Sequence, residues 1–534
     1  MHVDYQSLRF EYRRSPDQSS LQVVRHAVVV VGAGPVGLAT AIDLAQSGLR
    51  VLLLDDDSSL STGSRAICFA KRTLEIFDRL GCGDAMVEKG VTWNRGRVFH
   101  RDHPVYSFDL LPEGGHERPA FVNLQQYYVE GFLLDRARAL PDLEIRWRNK
   151  VTAVEPGEAG VGLLVETPEG EYRILADYLI AADGARSPIR RALGLESKGR
   201  TFRDRFLIAD VRMKADFPAE RWFWFDPPFH PNQSVLLHSQ PDGVWRIDFQ
   251  LGWDADPEAE RAPERVITRV RALLGENAAF DLEWVSVYTF SCLRMARFRH
   301  GRVIFAGDAA HGVSPFGARG ANSGVQDAEN IAWKLALVLR GEAPATLLDS
   351  YDDERVAAAD ENILNSTRST DFITPKNEAS RAFRDATLDL ARDCAFARRL
   401  VNSGRLSLPS TYRASPLNTA DTDDFAGTMM PGAPALDAPL MREGAPNWLL
   451  RRLGGGFVLL HFGEAPPPVP ETLPPLRLVN VTPDEDAEGV AARRYDALPG
   501  TTYLIRPDQH VCARWRRFDP EAICAALDRA VGRA

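Results

Sequence analysis

An apolar run, Ala27–Val31, breaks into Gly32-Ala33-Gly34-Pro35-Val36-Gly37 and then resumes with helical spacing. Nothing else in the chain restricts its fold as strongly. In such a strand-turn-helix, Gly32 permits the tight turn, Gly34 lets backbone approach a pyrophosphate, and Gly37 lets the helix pack close to the strand. The helix N-terminus then offers free N–H groups and a positive dipole end to phosphate. A second apolar run, Arg50–Leu54, reads as the next parallel strand. It ends in Asp55, eighteen residues after Gly37, where a carboxylate accepts hydrogen bonds from a ribose. Ala33, Pro35 and Val36 complete the loop around the phosphates. The motif and Asp55 together predict a site for the ADP half of a dinucleotide; the alternative is a Gly-rich turn in a nucleotide-free α/β protein. Asp56 and Asp57 read as solvated loop charges.

The apolar stretch Ala27–Ala45 is no membrane span, because it holds three glycines, a proline and Asp43. Met1–Arg25 lacks a basic-then-apolar signal pattern. The formal net charge of -9 argues against nucleic acid as the main partner. The six cysteines show no CxxC and no zinc-like pairing with histidine, so neither a metal site nor a disulfide framework is expected, and a reduced, cytoplasmic protein is. At 534 residues the chain needs several cores. The expected order is an N-terminal extension (1–26) lying on the surface or over a partner; the first part of a nucleotide domain (27–193); a mostly antiparallel, tryptophan-rich sheet (194–290); completion of the first domain with a helical segment (291–405); a Pro/Gly/Asp-rich linker (406–445); and a small α/β domain (446–534).

G-x-G-x-x-G alone does not choose between NAD and FAD. Two later segments bear on the choice. One is a strand running into Ala182-Asp183-Gly184, with Ser187 and Arg190 after it. The other follows the strand Val303–Ala306 as Gly307-Asp308-Ala309-Ala310-His311 and leads through Ser314-Pro315-Phe316-Gly317-Ala318-Arg319-Gly320-Ala321-Asn322 into a strong helix.

In this order and spacing the three motifs resemble the FAD-dependent aromatic hydroxylases, the class A flavoprotein monooxygenases that include para-hydroxybenzoate, phenol and 3-(3-hydroxyphenyl)propionate hydroxylases. The resemblance covers about residues 27–370. It implies a Rossmann-like FAD-binding domain with an inserted, mostly antiparallel substrate-binding sheet, and a C-terminal domain that is thioredoxin-like but without CxxC, suited to packing or to a homodimer contact. It implies FAD as cofactor, NADPH or NADH as transient electron donor, and O2 and a small aromatic molecule as substrates, with oxygen passing to a phenolic ring through a C4a-hydroperoxyflavin. The alternatives are a heteroaromatic or polyketide-like substrate, or a flavin dehydrogenase or oxidase without oxygen insertion.

Residue by residue, the resemblance places Ser64, Arg65 and Gln126 beside the cofactor, and Val151, Ala182, Asp183, Gly184 and Arg190 along its groove. Gly307 and Asp308 meet the ribityl chain. Pro315, Gly320, Ala321 and Asn322 run along the flavin, with Pro315 also facing the substrate. His311 reads as structural. Arg319 departs from the family's loop and either adds positive potential or points to solvent. A gapless pairing with para-hydroxybenzoate hydroxylase puts His238, Gln240, Arg246 and Asp248 at pocket positions. Gln240 would then stand where a benzoate carboxylate is gripped, Arg246 near the flavin edge, and His238 or Asp248 as acceptor of the phenolic proton. Read without the resemblance, the same residues are polar ends of a half-buried sheet. Trp222, Phe223, Trp224 and Phe225 line the pocket or fill the core.

Overall fold

The computed structural model describes residues 5–534 except 62, 64, 216, 402–406 and 443; Ser64 thus lies outside the described residues. The first sheet is built on five parallel strands in the spatial order Val303–Phe305, Gly170–Ala181, Val24–Val31, Val51–Asp55, Leu143–Trp147. The runs Val28–Val31, Val51–Leu54 and Val303–Phe305 are apolar on both faces, as a sheet buried on both sides requires. The helices Pro35–Gln46, Gln126–Arg138 and Gly320–Leu339 contribute to the same core.

The second sheet has eight strands in the order His311–Gly312, Phe280–Met295, Ser197–Met213, Val244–Leu251, Ser234–Ser239, Arg221–Phe225, Arg95–His100, His103–Asp109. It draws strands from outside 194–290. Arg95–His100 pairs in parallel with Arg221–Phe225, a union between segments far apart in the chain that local patterning does not reveal. Alternation along Arg221–Phe225 divides its aromatics. Trp222 and Trp224 pack on the outer face against the helix Pro263–Leu274, and Phe223 and Phe225 on the inner face with Phe206, Phe290 and Phe316.

The N-terminal extension and the linker both pack on the rest of the chain. In the extension, Phe10 stacks on Trp147 with ring centroids 4.0 Å apart, and Tyr5 donates to Asp135 at 2.6 Å, so it lies on this chain's own first domain. In 406–445, Tyr412 accepts from Arg355 at 2.8 Å and stacks on His510 at 4.6 Å. The last domain carries a four-stranded sheet, Leu476–Val481, Phe457–Phe462, Thr502–Ile505, Val511–Trp515, and the helix Pro520–Ala530. A buried charge network joins it to the first domain: Arg506 to Glu354 and Asp508, Lys334 to Glu354, and Arg72 both to Glu329 and to the Asp508 carbonyl. No helix among the described residues is long and apolar enough to cross a membrane.

Candidate active site

The Gly32–Gly37 turn and the Asp183-Gly184 segment meet because their strands are parallel neighbours; Ala182 N donates to Val31 O at 2.9 Å. The contact is close enough that a Cβ on Gly37 would collide with the Gly32 carbonyl, whereas no atom lies within 4 Å of where a Cβ on Gly34 would sit. The open space is therefore at the glycine that caps the helix Pro35–Gln46, where a pyrophosphate needs it. Asp55 accepts from Ala33 N at 2.5 Å and Asp57 N at 2.8 Å, and burial pushes its carboxyl up to about 6. Val151 is buried in the first core. Asp183 accepts from Ile189 N at 3.0 Å and leaves Oδ1 buried without a partner. Arg190 is committed to the carbonyls of Ala309 and Ala185, at 2.6 and 2.7 Å, and so ties the two cofactor segments together.

Asp308 is exposed to the groove, yet the surrounding protein raises its carboxyl by desolvation, with His311 and Arg65 pulling it down. Such a carboxylate, exposed yet surrounded by protein, has no hydrogen bond among the described residues, which suits a polyol chain. Its turn is held by Asp327, a residue the sequence reading missed. Asp327 accepts from Gly307 N at 2.9 Å, His311 Nε2 at 2.6 Å and Arg355 Nε at 2.6 Å. Burial opposes its ionisation, but His311 and Arg355 keep its carboxyl below the usual range. Arg355→Met removes one partner of a fully buried pair. It is expected to lower stability by about 3–5 kcal/mol, read as the thermal midpoint of the cofactor-loaded protein, with weaker FAD retention because the Gly307-Asp308 turn loosens.

Arg65 is exposed, whereas Arg72, the other arginine of its stretch, is buried against Glu329. Gln126 and Glu130 hold the loop before it: Gln126 accepts from Ala66 N at 3.2 Å, and Glu130 from Ser61 N at 2.8 Å. In the flavin-edge loop Pro315 is exposed and Phe316 is buried against Phe206 and Phe290. Ala318 takes the left-handed conformation, φ 52°, uncommon outside glycine and typical of functional loops. Arg319 is 2% exposed and donates to Phe316 O at 3.3 Å, which excludes the solvent-pointing reading. Gly320 and Ala321 open the long helix, whose first amides lack a side-chain cap. The Asn322 side chain instead clamps Ala70 N at 2.8 Å and Cys68 O at 2.9 Å, which fixes the helix entry against the strand Cys68–Ala70.

The inner face of the second sheet brings His238, Gln240, Arg246 and Asp248 together, all buried. Arg246 forms a two-pronged pair with Asp210, 2.8 and 2.7 Å, and reaches Arg65 O at 3.2 Å, so it joins the second sheet to the Arg65 loop. Gln240 donates to Asp210 at 3.2 Å and leaves Oε1 buried without a partner. His238 Nε2 stands 3.7 Å from Asp248 Oδ2. Burial, then Arg221 and Arg246, hold the imidazole well below its ordinary value, so it is neutral. Burial pushes Asp248 up to about 6, with Asp210 adding to the rise and Arg246 and Arg221 opposing it.

The parallel sheet, the open Gly34 corner and the Asp183 and Asp308 turns that meet it have the architecture of a dinucleotide-binding flavoprotein. The FAD binding domain family matches residues 25–366, and the chain belongs to this family of FAD-dependent monooxygenases. Over 538 aligned residues it is 32% identical to 6-methylpretetramide 4-monooxygenase of Streptomyces rimosus, covering 94% of this chain and 92% of that one. It is 29% identical, over 82% of this chain and 77% of the other, to 3-(3-hydroxy-phenyl)propionate/3-hydroxycinnamic acid hydroxylase of Mycolicibacterium smegmatis. The flavin-dependent monooxygenase PieE, solved with FAD and substrate, shares its fold at 22% identity and a TM-score of 0.80, covering 96% of this chain and 100% of that one. The protein is an FAD enzyme, and its relatives hydroxylate aromatic or polyketide substrates.

Proposed function

We propose that the protein hydroxylates a phenolic ring within a polyketide-sized aromatic substrate, taking electrons from NAD(P)H and oxygen from O2. The observation that carries this reading is Asp248, a buried carboxyl raised to about 6, on the same sheet face as the Arg246 that reaches the Arg65 carbonyl. A proton acceptor so placed draws the phenolic proton and leaves the ring rich in electrons for attack. Bound FAD supplies the electron store and the activation of O2. Gly34 and the helix behind it hold the pyrophosphate, Asp55 and Asp308 take hydroxyls, and the uncapped amides at Gly320 and Ala321 stabilise negative charge at the flavin edge. The inner-face aromatics Phe206, Phe223, Phe225 and Phe316 exclude water from the ring. The chain has no second G-x-G-x-x-G, so the nicotinamide uses the FAD groove transiently.

The near full-length likeness to 6-methylpretetramide 4-monooxygenase favours a multi-ring substrate over a single phenol. The test is turnover with NAD(P)H under ¹⁸O2 against a panel of phenolic polyketides and one-ring phenols. One labelled oxygen in a polyketide product is expected. Consumption of NAD(P)H that yields only peroxide across the panel would overturn the proposal, and labelling confined to one-ring phenols would correct the substrate class.

A further inference from the structure

Arg221 is the buried charge on this sheet face that the mechanism above does not use. It is 7% exposed; its Nε and Nη1 are buried without a hydrogen-bond partner, and no ion pair reaches it among the described residues. Trp222 lies opposite Leu237, so the register carries Arg221 opposite His238; His238 is opposite Arg246, and Arg246 opposite Asp210. Residues opposed in this way project from one face. The guanidinium therefore shares the inner face with His238, Arg246 and Asp248, and its charge is felt by Cys68, Asp248 and Tyr288.

The two acids nearby do not discharge it. Asp210 is taken by both prongs of Arg246 and by Gln240, and Asp248 has its one ion-pair-distance contact among the described residues with the neutral His238, at 3.7 Å. Buried guanidinium groups are almost always paired, because an unpaired one costs several kcal/mol. A pocket that keeps one unpaired has kept it for a ligand. Arg221 also stands two strands from Arg246, about 10 Å at the usual strand spacing. One end of the face thus meets the Arg65 loop through Arg246, and the other ends in an unpartnered cation.

We propose that Arg221 binds an ionised oxygen of the substrate, distal to the ring that is hydroxylated, so that the substrate class is an acidic, multi-ring aromatic. This rests on the hydroxylase reading for what happens to the ring, but binding is testable without turnover. Planar guanidinium prongs match a carboxylate or the enolate of a vinylogous acid, and they reject the corresponding ester by leaving the cation unpaired.

The probes are anthraquinone-2-carboxylate and its methyl ester, titrated by calorimetry into the oxidised, FAD-loaded protein. The wild type is expected to bind the acid at least about tenfold more tightly than the ester, the worth of a charge-assisted hydrogen bond. Arg221→Gln should abolish that preference while leaving the ester's affinity unchanged, and Arg221→Lys should keep part of it. FAD content and thermal midpoint certify each variant; if Arg221→Gln does not hold FAD, Arg221→Lys and the wild-type preference decide. A wild type that does not prefer the acid, or an Arg221→Gln that still prefers it, overturns the proposal. Equal weakening of acid and ester also overturns it, because Arg221 would then serve only to position Asp248. Failure of the hydroxylase reading looks different: the acid preference persists and no ¹⁸O enters any product.

Discussion

Gly34→Ala is expected to leave the fold intact and strip the protein of FAD, whereas Gly37→Ala is expected to damage the fold itself. The two glycines stand three residues apart in one motif, and their surroundings separate them. A Cβ on Gly34 meets nothing within 4 Å, and the residue's backbone, φ -72°, is one alanine adopts without strain. The methyl would occupy the space in which the pyrophosphate touches backbone. We expect an unchanged apoprotein melting curve and FAD affinity reduced by about a hundredfold, equivalent to about 2.7 kcal/mol. A Cβ on Gly37 instead runs into the Gly32 carbonyl and comes close to the Ala182 side chain as well. No rotamer relieves a clash with backbone, so helix and strand must part, at about 3 kcal/mol. Differential scanning fluorimetry of both apoproteins, with flavin released on denaturation as the measure of loading, distinguishes the cases. Normal FAD loading in Gly34→Ala would show that the open corner is not where the phosphates lie.

The candidate cofactor groove is legible in the sequence because each of its parts is local. A tight turn, a close approach and a helix start each demand particular residues within a few positions, as at Gly32–Gly37, Ala182–Gly184 and Gly307–Asp308. The inner face of the substrate sheet was legible only in part. His238, Gln240, Arg246 and Asp248 alternate on adjoining strands and could be paired from sequence. Arg221 could not, since it begins a run of aromatics that reads as core, and its meaning depends on its register with Ser234–Ser239 and on having no partner. Asp327 was hidden for a different reason. It sits inside a strong helix, where an acid reads as solvated, and only the packing of His311 and Arg355 against it makes it the support of the Gly307-Asp308 turn. The signal that could have exposed it is the density of polar residues on that helix, Asn322, Ser323, Asp327, Asn330 and Lys334, all of them buried. Arg319 illustrates the limit in a single side chain: charge suggests solvent, but the guanidinium folds back into the space that the missing Cβ of Gly317 leaves open.

Asp248→Asn is expected to lower hydroxylation by about 10²–10⁴-fold, the usual worth of a positioned general base, and to make the folded protein more stable at neutral pH. Both follow from one carboxyl. In the folded protein it titrates at about 6, against 3.8 for an unperturbed aspartate, because burial outweighs the attraction of Arg246 and Arg221. Above pH 6 it is ionised and can take a proton, so kcat/KM of the wild type should climb to a plateau through pH 6; the asparagine variant should lose that limb. The stability effect has the opposite sense. A carboxyl whose pKa is raised on folding favours the folded state fully below its unfolded value, near 4, and loses that contribution as pH rises through 6. At pH 8 the wild type carries a penalty of about 2–3 kcal/mol that asparagine, being neutral, avoids. Thermal midpoints of the two proteins should therefore converge near pH 4, draw apart between pH 4 and 6 and stay apart above it, with the variant higher. His238 gives the contrast. It is already neutral, so His238→Gln should leave the pH at which activity rises in place. If that substitution removes the limb and Asp248→Asn does not, the proton passes through the imidazole, and Asp248 serves to orient it.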